Sequence, residues 1–361
     1  MQITQSSIKE GKMSPAELEN PIGLDGMEFI EYSTHEPEAM EKLFTQLGFK
    51  EVGHHKTKNV TLWSQGRIHF ILNREQDSFA DHFKTAHGPS VCATGFRVKD
   101  ATKAFEEALE RGAKPCPASK HHSFPAIYGI GDSVIYFIED YSAEDPFQSF
   151  KADFEMKETA ENIGYNMSII DHMTNNVPVG GLEEWSNFYE KIFNFREIRF
   201  FDIKGQQTGL ISKAMRSPCN KITIPINEPT GQGSQIQEYL DEYKGSGIQH
   251  IALLSSDIIG TVTKLKENGM EFLSTPDTYY EMLPKRLPNV TEDMDSLQNL
   301  RILADGTEEG YLLQIFTNTV IGPIFYEIIQ RKGDDGFGEG NFQALFDSIE
   351  EDQRRRGYLK D

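Results

Sequence analysis

The chain has 361 residues and 38% hydrophobic content, including 24 phenylalanines, which is too long for one small core and rich enough for two. Its formal charge of −20 disfavours nucleic acid and anionic membranes as partners, and no run of apolar residues approaches the length that spans a bilayer. Three cysteines, Cys92, Cys116 and Cys219, are scattered without zinc-like spacing and suit reduced thiols, so the expected compartment is the cytoplasm.

Residues 1–19 are polar and mixed in charge, without the apolar core of a signal peptide, and read as a loosely ordered extension. Residues 28–49, EFIEYSTHEPEAMEKLFTQLGF, then give a short apolar strand, a polar turn and an amphipathic helix ending near Gly48. Residues 90–114, SVCATGFRVKDATKAFEEALERGAK, repeat that order: a strand, Asp100, and a helix that stops at Gly112. Residues 141–160 are polar, acidic and aperiodic, and are expected to link a unit over 20–150 to one over 160–361.

The second half repeats the first. Residues 168–195, SIIDHMTNNVPVGGLEEWSNFYEKIFNF, match 28–49 in order, and GIQHIALLSSDIIGTVTKLKENGME (247–271) matches 90–114. Twelve residues separate aspartate from helix-ending glycine in both copies, Asp100 to Gly112 and Asp257 to Gly269. A strand–helix–strands unit used twice in each half buries one sheet face under its helix and leaves the other to curl into a cup.

The copies differ in their ligand-type residues. Aligning FIEY with IIDH sets Tyr32 against His172, and aligning the shared aspartates sets Ala93 against His250. With Glu327 in PIFYEIIQR, the second half carries two imidazoles and a carboxylate on three separate apolar strands, 78 and 77 residues apart. A carboxylate sent into a core needs a partner, and two histidines with one carboxylate form a facial set suited to iron(II). Zinc is compatible with the same three donors. Of the other eight histidines, the pairs His54–His55 and His121–His122 point to opposite faces of any strand and cannot chelate one ion. His35, His69, His82 and His87 read as ordinary first-half residues.

At the C-terminus, GFGEGNFQALFDSIEEDQ spaces three glycines ahead of a helix with Phe342, Leu345, Phe346 and Ile349 on one stripe. That arrangement suggests a helix hinged on Gly336, Gly338 and Gly340, closing over the cup, or a helix that simply packs. The arginines 354–356 follow acidic residues at i,i+4 spacing and form a solvated face.

The segments IIDHMTNNV, GIQHIAL, DTYYEML, LLQIFT, EIIQRKGDDGFGEGNFQALF and SIEEDQRRRG resemble, in order and spacing, the 4-hydroxyphenylpyruvate dioxygenase family of the vicinal oxygen chelate superfamily, from about Asn20 to the end of the chain. The resemblance implies an α+β fold of two similar domains, each of paired βαβββ modules curling a mixed sheet into an open barrel around a cup, with a C-terminal helix closing the active site. It implies one Fe(II) per subunit on His172, His250 and Glu327, and conversion of 4-hydroxyphenylpyruvate and dioxygen to homogentisate and carbon dioxide in tyrosine breakdown. Ser212, Asn227, Gln235, Gln249 and Gln314 are implied as polar contacts, and Phe316, Phe337, Phe342 and Asn341 as substrate-binding residues. Gln314, an amide in an apolar strand, is the most telling of these from the residues alone. A homo-oligomer, dimer or tetramer, is expected. The competing readings are 4-hydroxymandelate synthase, which shares the substrate and ligand set, and a non-catalytic binding protein of the same fold, which needs no triad.

Overall fold

The computed structural model describes residues 19–117, 124–157, 164–204, 208–231 and 234–341. The N-terminal extension, Phe342, the C-terminal helix and the arginine cluster lie outside them.

The first half runs β1 (Leu24–Ser33), α1 (Pro37–Gln46), β2 (Lys50–His55), β3 (Val60–Gln65), β4 (Ile68–Asn73), α2 (Phe79–His87), β5 (Ser90–Val98), α3 (Ala101–Glu110), β6 (Ala126–Tyr128), β7 (Val134–Ile138) and β8 (Phe154–Met156). Its eight strands form one sheet in the order β6-β7-β5-β1-β4-β3-β2-β8. The second half runs β9 (Met167–Asn176), α4 (Gly181–Phe193), β10 (Arg196–Lys204), β11 (Thr208–Arg216), β12 (Thr223–Gly231), α5 (Gln235–Tyr243), β13 (Gly247–Ser255), α6 (Ile258–Glu267), α7 (Asp277–Arg286), α8 (Met294–Leu300), β14 (Leu303–Gly306), β15 (Tyr311–Phe316) and β16 (Phe325–Lys332). Its sheet has the order β10-β11-β12-β9-β13-β16-β15-β14. In each half two modules meet antiparallel through their first strands, β1 on β5 and β9 on β13, and each first strand lies parallel to the last strand of its own module.

The repeat seen in sequence is therefore a repeat of strand, helix and returning strands. Asp100 and Asp257 are N-caps, their side chains accepting from the backbone N–H of Lys103 and Gly260. Gly112 and Gly269 follow the helix ends at φ +99° and +82°, a region open to glycine at little strain. The first half departs from the four-strand pattern in its second module, where only β6 and β7 follow α3 among the described residues. The acidic stretch read as a linker is not featureless: Phe150 and Phe154 enter the first-half core, and β8 pairs with β2 at the sheet edge.

The helix-bearing faces of the two sheets pack together. One buried cluster joins Phe44 and Phe70 of the first half to Leu265 and Tyr326 of the second; another sets Ala104 and Ala108 of α3 against Ile192 and Phe193 of α4. The small alanines let the two helices approach. Tyr32 belongs to this interface, its hydroxyl 2.9 Å from that of Tyr326. The opposite face of each sheet forms a cup, and the two cups are filled differently. Among the described residues, thirteen buried apolar residues cluster on the first, and three, Ala252, Leu312 and Ile329, form the corresponding cluster of the second.

Candidate metal centre

Residues paired across a ladder share a face, and so do residues two apart along a strand. Starting from Phe201 on β10, the ladders run through Ser212 on β11 and Asn227 on β12 to Asn176 on β9. Two and four residues back along β9 come Thr174 and His172, which pair with His250 and Ala252 of β13. Parallel pairing carries the row on to Phe325 and Glu327 of β16, and Glu327 pairs with Phe316 of β15, two residues beyond Gln314. One sheet face thus presents every one of these side chains to the same cup.

At its centre His172, His250 and Glu327 converge. The His172 Nε2 lies 3.3 Å from Glu327 Oε2, the His250 Nε2 lies 3.4 Å from the same oxygen, and the two Nε2 atoms are 3.4 Å apart. His172 and Glu327 are buried, at 3% and 2% exposure, and the second carboxylate oxygen, Oε1, is buried with no hydrogen-bond partner. A buried acceptor left open beside two converging imidazole nitrogens fits a cation bound by all three side chains.

The preceding residue steadies each imidazole. The Nδ1 N–H of His172 donates to Asp171 Oδ1 (2.8 Å), and that of His250 donates to Gln249 Oε1 (3.1 Å), leaving both Nε2 atoms turned inward. The Thr174 hydroxyl sits 3.0 Å from His250 Nε2. Burial pushes the His172 imidazole down, but Glu327 and Asp171 outweigh it and raise its pKa to about 9. Burial pushes Glu327 up, and His172 outweighs it, holding the carboxyl at about 2. His250 is lowered, chiefly by burial.

Aromatic rings enclose the group. Phe337 meets His172 edge-on at 5.2 Å and Phe201 at 6.2 Å; Phe325 stacks on His250 at 5.0 Å, and Phe316 stands 6.3 Å from it.

A family model described as hydroxyphenylpyruvate dioxygenase, N-terminal, matches residues 18–155, and one described as the glyoxalase/bleomycin resistance protein/dioxygenase superfamily matches residues 169–282. The chain is 50% identical to a 4-hydroxyphenylpyruvate dioxygenase of Pseudomonas sp. (strain P.J. 874), over 94% of this chain and 98% of that protein. It is 48% identical to one of Legionella pneumophila (strain Corby), over 95% and 98%. The chain belongs to the 4-hydroxyphenylpyruvate dioxygenase family. It is also 49% identical to hemolysin VllY of Vibrio vulnificus, over 94% and 98%. Among solved structures, a xylose isomerase-like TIM barrel/4-hydroxyphenylpyruvate dioxygenase fusion protein matches with TM-score 0.79 and 31% identity, over 92% of this chain, which spans about half (54%) of the fusion. A mutant of 4-hydroxymandelate synthase from Streptomyces coelicolor matches with TM-score 0.77 and 26% identity, over 92% and 99%.

The other candidate residues of this family member that lie within the described residues fall into four groups. Ser212, Asn227, Gln314, Phe316 and Phe337 share the cup with the triad. Asn227 donates to Asn176 Oδ1 (3.2 Å), and Gln314 is buried with its Oε1 unpartnered. Gln249 is adjacent but engaged with His250. Gln235 is not brought into the group: it is exposed at the first position of α5, where Ser234 caps the helix. Asn341 is buried, its Oδ1 accepting from Tyr279 Oη (2.6 Å) and Arg286 (3.3 Å), with its Nδ2 open.

Sequence reasoning missed Thr174, Asn176, Phe201 and Phe325, which the register alone reveals, and Asp171 and Arg331, which meet across the sheet. It also misplaced one counterpart. In the first-half ladders Phe29 pairs with Gly95 and Gly95 with Tyr136, as His172 pairs with Ala252 and Ala252 with Glu327. The position matching His172 is therefore Phe29 and not Tyr32, which faces the other way into the interface. Ala93 does match His250, and Tyr136 matches Glu327.

Proposed function

We propose that His172, His250 and Glu327 hold one iron(II) per chain, and that the chain converts 4-hydroxyphenylpyruvate and dioxygen to homogentisate and carbon dioxide in tyrosine breakdown. The observation that carries this reading is the convergence of the three donors, with an open buried carboxylate oxygen, on one face of the second cup. Iron(II) there supplies Lewis acidity for the substrate's 2-oxo acid and the electrons that activate dioxygen. The reaction balances without a further co-substrate: the carboxyl carbon leaves as carbon dioxide, one oxygen atom enters the new carboxylate formed at the 2-oxo carbon, and the other becomes the new ring hydroxyl as the side chain shifts on the ring.

The remaining work belongs to the protein. His172, His250 and Glu327 would be the side chains that hold the ion. Phe316 and Phe337 wall the substrate ring and exclude water, so that its position over the metal is fixed before chemistry begins. Gln314, with an unpartnered oxygen, and the Ser212–Asn227 pair supply the polar contacts that orient the phenol and the oxo acid, and Gln249 keeps the His250 ring in place. Asn341 keeps an open Nδ2 for substrate contact, and the exposed Gln235 is given no role. The free Cys92, Cys116 and Cys219 suit a reducing cytoplasm, where the chain works as a dimer or tetramer.

The test is oxygen uptake with product identification. Purified protein given iron(II) and 4-hydroxyphenylpyruvate under air is expected to consume one dioxygen per homogentisate formed. Formation of 4-hydroxymandelate would transfer the chain to the synthase reading, and uptake no greater than an iron-only control would reduce it to a binding protein.

A further inference from the structure

Arg331 lies on β16, four residues beyond Glu327, with its guanidinium divided between two jobs. Its Nε and Nη2 grip the Asp171 carboxylate as a fork, at 2.8 and 2.6 Å. Its Nη1 donates to the carbonyls of Asp334 (3.0 Å) and Gly336 (2.8 Å), the loop that delivers Phe337. The loop closes on itself through the Gly336 N–H donating to Asp334 Oδ1 (2.6 Å), and the guanidinium carbon stands 6.0 Å from the Phe337 ring centroid. Phe337 in turn lies against the edge of His172, whose Nδ1 N–H is held by the same Asp171.

The contacts close a ring: Arg331 to Asp171, Asp171 to His172, His172 to Phe337, and Phe337 through its loop back to Arg331. We infer that Arg331 and Asp171 are a positioning pair that fixes the His172 imidazole and the Phe337 wall in one motion, so that metal grip and substrate placement are set together. This rests on the reading of His172 as a metal ligand. The arrangement needs an arginine: a lysine ammonium can neutralise Asp171, but it cannot span a carboxylate fork and two loop carbonyls at once. Asp171 touches the metal side directly and reaches the loop only through Arg331, whereas Arg331 holds the loop itself.

The two residues therefore weight the two functions differently. Competition of cobalt(II) against a chromophoric chelator, with the cobalt absorption bands as signature, reads metal affinity without turnover. Asp171→Asn is expected to weaken cobalt about 10–100-fold, as the loss of a second carboxylate partner does at other metal–histidine sites, and to raise KM for 4-hydroxyphenylpyruvate at saturating iron less than Arg331→Gln does. Arg331→Gln is expected to weaken cobalt similarly and also to raise KM, and Arg331→Lys to recover metal affinity more than KM. Thermal unfolding of each variant monitors folding; if Arg331→Gln does not fold, the Lys and Asn variants carry the test. His172→Ala is the control on the underlying reading. If that variant still binds cobalt with wild-type bands, the metal assignment fails. If it loses cobalt while Asp171→Asn and Arg331→Lys bind with wild-type affinity and unchanged KM, the positioning pair alone is overturned.

Discussion

The two cups share one strand plan and opposite interiors. Where the second presents His172, His250 and Glu327, the first presents Phe29, Ala93 and Tyr136, and the rings of Phe29 and Tyr136 lie 5.9 Å apart. Asn73 stands at the ladder position of Asn227 and Val60 at that of Ser212. The Phe29 ring occupies the space over Gly95, where a Cβ would fall 2.6 Å from it. The same fold thus spends one sheet face on apolar burial and the other on a polar pocket whose acceptors stay open. A cup that gains stability from burial has no room for a ligand, and one that holds a ligand forgoes that burial.

The sharpest break between the cups is made by truncating equivalent positions. Phe29→Ala is expected to cost about 3–5 kcal/mol of folding stability while metal binding is retained. His172→Ala should abolish iron retention and turnover with the far-ultraviolet spectrum intact. Chemical denaturation and metal analysis read the two outcomes; a Phe29 variant that lost iron but not stability would dissolve the distinction.

Histidine gives a second contrast. His69 is fully buried in the first cup, against Phe150, with Nδ1 3.0 Å from Ser64 Oγ. Burial, reinforced by Arg97 and Arg67, lowers its pKa to about 3, whereas the carboxylates beside His172 raise that imidazole. The folded state keeps His69 neutral while the unfolded chain takes up a proton below about 6.5, so stability is lost as pH falls from 6.5 toward 3, by about 1.4 kcal/mol per unit. His69→Leu should flatten this acid limb relative to wild type, leaving a difference of about 2 kcal/mol at pH 5. Parallel denaturation profiles for the two proteins would show that His69 is not the source.

The mildest test lies in the second cup. Gly338 has φ +76°, and a Cβ there would fall inside the Gln314 amide. Gly338→Ala is expected to cost about 1–3 kcal/mol and to raise KM by displacing Gln314, with iron content unchanged. An unaltered KM would remove Gln314 from substrate contact.

Much of this was legible in the sequence because periodicity, capping residues and the contrast between repeats are local signals. The Asp100 and Asp257 caps, the strand–helix alternation and the three donors all follow from it. What escaped depends on register. The β1–β5 and β9–β13 ladders share a register shift at equivalent places, so the two halves stay in step; aligning FIEY with IIDH slid the strand by three residues, an odd shift that exchanges faces, and chose Tyr32 where the ladder chooses Phe29. Arg331 and Asp171 are 160 residues apart and meet only through the sheet, although an aspartate placed directly before a candidate ligand histidine was a signal available at the outset. Gln235 resembled a pocket residue by motif; its place on a helix turn, exposed, is a matter of tertiary packing.

The most direct test of the account is anaerobic iron(II) binding at equilibrium, comparing wild type with His172→Ala, His250→Ala and Glu327→Ala. One iron per chain in the wild type, lost in each of the three variants while they remain folded, is the predicted result. A second tightly bound iron, or stoichiometric iron in any of the three, would contradict the assignment of metal binding to the second cup alone.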